Sequence, residues 1–185
     1  MKKAGKRLYQ LNLKTEYPLL QTHVYTKTIT GRRPLLQKDY GKALDCAVTS
    51  LAFLFGAEKY PEIEAIATKY FYNGDKWGTN PFFIRSIMNA CLKEFKMEGK
   101  GKSLYGKGIG WNFKKVKALV DQNKYLILNL HTDGRGYYKD HSVTIIGVVE
   151  YSNGRFLSIY DNWNYGISYI DYDKLSLISS INWYE

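Results

Sequence analysis

Near residue 123 the hydrophobic period of this chain changes from that of helices to that of strands, which restricts the fold more than any other feature of its 185 residues. Before that point apolar side chains recur every three or four positions. From Asp45 the residues Ala47, Val48, Leu51, Ala52, Leu54 and Phe55 follow helical spacing, with Asp45 placed to cap the start and Gly56 to end it. A second helix begins at Pro61, carries Glu62 and Glu64 in its first turn and turns Ile63, Ile66, Ala67 and Tyr70 inward. A third follows Thr79-Asn80-Pro81 and buries Phe83, Ile87, Cys91 and Leu92, and a fourth from Asn112 buries Phe113, Val116, Leu119 and Val120. Beyond Asn123 short β-branched and aromatic runs predict strands over 125–131, 142–151, 155–161, 167–172 and 176–184, with Asn153-Gly154 as a hairpin turn. Helices followed by antiparallel strands predict an α+β fold: one domain over 1–185, with 1–30 as an N-terminal extension and a cleft where helices meet the sheet.

Composition narrows the class. With 45% hydrophobic and 24% charged residues the chain is globular rather than disordered, and no run reaches the ~18 apolar residues of a spanning helix. The basic start has no apolar stretch behind it, so the expectation is an unexported, cytoplasmic protein. Lys and Arg number 27 against 17 acids, and the net charge of +10 favours acidic partners: an acidic segment of a peptide or protein, or, as the competing reading, nucleic acid. The excess gathers in the first seven residues and between Lys93 and Lys117. Two cysteines, Cys46 and Cys91, are too few for a disulfide scaffold or a zinc ribbon, and there is no His-Glu-x-x-His, so neither a metal nor another cofactor is expected. The glycine-rich stretch 99–110 matches Gly-x-x-x-x-Gly-Lys over 101–107 but has Gly108 where a phosphate loop needs Ser or Thr; it reads as a flexible basic loop at the cleft rim.

Three polar residues fall where this architecture makes them reactive. Cys46 opens the first core helix, where unpaired backbone N–H groups favour thiolate. His141 heads a strand and is placed to pair with that thiol and later to donate its proton to a leaving amine. Asp161, at the end of the next strand, or Asn162 beside it, would orient the ring. His141 and Asp161 are 20 residues apart, and a tight Asn153-Gly154 hairpin alone would set Asp161 opposite Ile146, so a longer loop or a bulge is required. Cys91 lies on the apolar side of its helix and is expected to be inert, His23 falls in an irregular stretch, and His131 ends a strand facing solvent.

These residues carry a resemblance. The stretch Leu35-Leu36-Gln37-Lys38-Asp39-Tyr40-Gly41-Lys42-Ala43-Leu44-Asp45-Cys46-Ala47-Val48-Thr49-Ser50-Leu51 resembles the start of the bacteriocin leader-processing (double-glycine) branch of the papain-like cysteine peptidases. Asp140-His141-Ser142-Val143-Thr144-Ile145-Ile146-Gly147 is similar to the histidine strand of that superfamily, and Asp161-Asn162-Trp163 to its Asn/Asp-x-Trp, so the match runs over 35–165. The resemblance implies a papain-like fold with helices packed on a C-terminal antiparallel sheet. It implies Cys46 as nucleophile, His141 as general base and acid, Asp161 as orienter, Gln37 as side-chain donor of an oxyanion hole and Trp163 as a shield over the triad. Two positions depart from the family pattern: Ala47 stands where a glycine commonly follows the cysteine, and Gln37 lies farther ahead of Cys46. The expected function is peptide-bond hydrolysis through a thioester. The alternatives are acyl transfer on the same triad, transglutaminase-like or arylamine acetyltransferase-like, and a basic binding module without catalysis.

Overall fold

The computed structural model describes Leu13 and residues 17–185; the basic cluster of the first seven residues lies outside them. Among the described residues there are four α-helices, α1 (Cys46–Phe55), α2 (Tyr60–Thr68), α3 (Ile84–Glu94) and α4 (Phe113–Asp121). The strands are β1 (His23–Thr28), β2 (Gly101–Tyr105), β3 (Leu126–Thr132), β4 (Lys139–Tyr151), β5 (Gly154–Tyr160), β6 (Ser168–Asp171) and β7 (Ser179–Tyr184). All pair antiparallel in one sheet of order β2-β7-β3-β4-β5-β6. The last part of β4 also pairs with β1, on the edge whose first part holds β3. The fold is α+β.

Helix starts follow local hydrogen-bond chemistry. The Asn80 side chain accepts from Phe82 N–H at 3.0 Å ahead of α3, and Asn112 accepts from Lys115 N–H at 2.9 Å ahead of α4. Asp45 stands at the N-cap of α1 without capping it. Its buried carboxylate instead accepts from Tyr60 hydroxyl at 2.7 Å and Thr49 hydroxyl at 3.1 Å, tying α1 to α2. Tyr60→Phe removes one donor from this carboxylate and is expected to destabilise the protein by about 1.5–3 kcal/mol in a urea titration.

The sheet is covered on both faces. One core holds α1, α2 and α3 against Ile127 and Ile146; the other holds α4 against Leu126, Leu128, Leu130, Val143, Ile145 and Val148. Along β4 the residues Val143, Ile145 and then Val148 share a core, a break in strict alternation that marks one extra residue. The register shift between Ile145 and Gly147 is that bulge. Gly147 is required there, because a Cβ would collide with the Lys27 carbonyl of β1.

Two strands depart from the sequence expectation, so the sheet is not confined to the C-terminal half. His23 lies in β1, its Nε2 2.7 Å from Thr26 Oγ1, rather than in irregular chain. Residues 101–105 form the edge strand β2 on β7 rather than a flexible loop. The glycine that suggested flexibility serves close packing. Gly101 N–H donates to Asn89 Oδ1 at 2.7 Å, and a Cβ there would lie 3.0 Å from the Arg85 carbonyl of α3. Among the described residues no helix is long and apolar enough to cross a membrane, and no group of three or more His, Cys, Asp or Glu is arranged to hold a metal ion.

Candidate active site

The β4–β5 register decides whether His141 and Asp161 meet. Tyr151 pairs with Gly154, so the turn is Ser152-Asn153, one residue earlier than the Asn153-Gly154 expected from sequence. The bulge then shifts the pairing to Thr144 opposite Tyr160. Together these bring the end of β5 back to the head of β4, and the Asp161 carbonyl oxygen lies 2.8 Å from His141 Nε2. A carbonyl only accepts, so Nε2 carries the hydrogen and Nδ1 of the neutral ring is a bare acceptor. The Asp161 carboxylate accepts from Trp163 N–H (3.0 Å), Asn164 N–H (2.9 Å), Asn164 Nδ2 (3.0 Å), Tyr138 hydroxyl (2.9 Å) and Ser168 hydroxyl (3.2 Å). It thereby fixes the turn that carries Trp163, whose ring stacks on His141 with centroids 4.1 Å apart and planes 27° apart.

Cys46 is the first residue of α1, and the backbone N–H of Ser142, next to His141 on β4, donates to its Sγ at 3.4 Å. The Asn162 amide bears on backbone rather than on the imidazole: Nδ2 donates to Ser50 hydroxyl (2.8 Å) and to the carbonyls of Cys46 (2.9 Å) and Ser142 (3.0 Å). Gln37 is buried, its Nε2 3.4 Å from the Ala43 carbonyl and its Oε1 enclosed without a hydrogen-bond partner.

Gln37, Cys46, His141, Ser142 and Trp163 line one cavity of about 1110 Å³. Its walls are apolar, with Trp77, Phe82, Tyr105, Leu177 and Ile178, while its charged lining is Lys139 beside Asp140 and His131. Among the described residues Lys139 is the one Lys or Arg in this lining, so the net positive charge of the chain is not gathered there.

The electrostatics differ from the sequence expectation of a thiolate. Burial pushes the Cys46 thiol up, opposed by the N–H groups of Ser142 and Ala47, and the neighbouring Asp45 charge pushes it further. Burial also pushes His141 down to about 4, against the carbonyl and charge of Asp161. Both shifts favour the uncharged forms, thiol at Cys46 and neutral imidazole at His141, and desolvation is the first cause of each.

Other candidates separate clearly. Cys91 is fully buried and its thiol is pushed up to about 12, chiefly by desolvation. His131 is exposed and pairs with Asp140, Nδ1 to Oδ1 at 2.7 Å, at the cavity edge. The sequence reading missed the chain Ser142 hydroxyl to Asn129 Oδ1 (2.6 Å) and Asn129 Nδ2 to Ser180 Oγ (2.9 Å), which crosses the cavity floor from β4 through β3 to β7. A signal for it existed: Asn129 interrupts the apolar run Leu126-Ile127-Leu128. Tyr138, buried on Asp161, offered none.

No family model and no curated protein matches this chain. Geometry and chemistry alone carry the functional reading.

Proposed function

We propose that this protein is a papain-like cysteine peptidase that cleaves a peptide bond through a thioester on Cys46. The observation that carries this reading is the joint placement of Cys46 and His141 on one cavity, with Nε2 committed to the Asp161 carbonyl and Nδ1 left as the acceptor. Starting from the neutral pair, the Sγ–H proton passes to Nδ1 as Sγ bonds to the substrate carbonyl carbon, so base and nucleophile act together. The tetrahedral oxygen is met by the Cys46 N–H, which has no partner within α1, and by Gln37 Nε2. The imidazolium returns its proton to the departing amine. Water, deprotonated by the same Nδ1, then releases the acid. Trp163 covers the ring and keeps its hydrogen bond to Asp161 from competing water.

The test is a peptide mixture incubated with the protein, quenched in acid and read by mass spectrometry of products and of intact protein. New peptide termini together with an acyl adduct mapped to Cys46 support hydrolysis. If an added primary amine is incorporated into the product and accelerates its release, the chain is an acyltransferase on the same residues. Absence of any adduct on Cys46 across a broad mixture overturns the covalent mechanism.

A further inference from the structure

The elements that carry Gln37 and Cys46 lie nine positions apart, but the strand that carries His141 is 95 positions beyond Cys46 and has no covalent reason to stay in register with them. One residue, Asn162, touches all of them through its side chain and its backbone. The Asn162 backbone carbonyl accepts from Gln37 N–H at 2.9 Å. Its Nδ2 shares two hydrogens among Ser50 hydroxyl at 2.8 Å and the carbonyls of Cys46 at 2.9 Å and Ser142 at 3.0 Å. The preceding residue, Asp161, supplies the carbonyl that holds His141 Nε2. Asn162 is 1% exposed, and its φ of 62° lies in the left-handed region that Asn tolerates better than most residues.

We infer that Asn162 is a positioning residue that staples the start of α1 to the head of β4 and so sets the Cys46–His141 geometry. The inference rests on the proposed peptidase reading, in which those two residues exchange a proton. Its role differs from the orienting role that the sequence suggested, because the carboxamide acts on backbone carbonyls beside both residues and not on the ring. The residue type follows from the contacts. A carboxamide is short enough to stay between two carbonyls and supplies two N–H donors, whereas a carboxylate would set acceptors against acceptors. Loss of the staple leaves the Ser142 N–H bond to Cys46 Sγ and packing to hold the thiol near His141, and a displacement of about 1 Å in such a pair costs on the order of 10²-fold in rate.

The experiment uses Asn162→Gly, which keeps the left-handed backbone and the carbonyl to Gln37 but removes the staple. The probe is iodoacetamide: the Sγ–C bond forms, iodide leaves and the thiol proton goes to His141 Nδ1. Cys46 alkylation rates are compared over a pH series for the unsubstituted protein, His141→Ala, Asn162→Gly and the double variant, with Cys91 as internal control and circular dichroism to confirm the fold. His141→Ala is expected to slow Cys46 alkylation by about tenfold or more in the unsubstituted background and by less than about twofold when Asn162 is glycine, the non-additivity expected of coupled groups. A purely structural role would lower the melting temperature and leave the His141 dependence intact; that result, in a folded variant, overturns the inference alone. Should Asn162→Gly not fold, Asn162→Ser, which keeps a single donor, is read by the same comparison. If His141→Ala has no effect even with Asn162 present, the peptidase reading fails and the positioning role falls with it.

Discussion

Replacing Cys46 by alanine is expected to remove turnover of any peptide that the protein cleaves, and replacing His141 by alanine to lower it by about 10²–10⁴-fold, the range for a lost general base. The two should not add in the double variant, because each removes one partner of the same proton transfer. Asp161→Asn should behave differently. The atom of Asp161 on the imidazole is its backbone carbonyl, which asparagine keeps, so the hydrogen bond that selects the tautomer survives. What asparagine disturbs is the set of donors converging on the carboxylate, from Trp163, Asn164, Tyr138 and Ser168, since an amide nitrogen would then face N–H and O–H groups. The expected outcome is lower stability with a smaller loss of kcat per folded molecule than in His141→Ala. Active-site titration alongside thermal unfolding separates the two effects. If Asp161→Asn retains full stability yet loses kcat as completely as His141→Ala, the carboxylate itself acts on the ring.

Three of the helices were legible by a periodic apolar face and by punctuation at the start, since Pro61, Asn80-Pro81 and Asn112 all stand at helix entries, whereas α1 is buried all round after Cys46 and is not capped by Asp45. The apolar strands were legible for the same reason. β1 and β2 were not, because His23–Thr28 and Gly101–Tyr105 lack a run of buried apolar residues. Their identity as strands comes from the edges of β4 and β7 that they complete, which is tertiary information. The site divided along a similar line. Cys46, His141 and Asp161 could be picked out by residue type and by position in an element. The route by which they meet could not, since it depends on a bulge at Ile146–Gly147 and on which atom of Asp161 arrives. The direction of the shifts was not legible either, because a helix N-terminus is visible in sequence and desolvation is not: the field of α1 favours thiolate, while desolvation raises the thiol and lowers the imidazole.

That same burial predicts an acid-labile fold. His141 is 5% exposed and its folded pKa is lowered from the ordinary 6.5 to about 4, so between those values the unfolded chain binds a proton that the folded one does not. Stability from a group lowered in this way is fully present above pH 6.5 and is lost as pH falls toward 4, by about 3 kcal/mol over the interval at 1.36 kcal/mol per pH unit. The charged group facing the ring is Asp161, whose carboxylate favours the imidazolium and already acts against the shift. His141→Gln keeps a donor for the Asp161 carbonyl and does not titrate. Urea unfolding at pH 7.5 and at pH 4.5 should therefore show a substantially larger loss for the unsubstituted protein than for His141→Gln, which differs from it only at this residue. Equal losses would mean that His141 is hydrated well enough to charge in the folded state, and the neutral starting pair of the proposed mechanism would have to give way to a pre-formed ion pair.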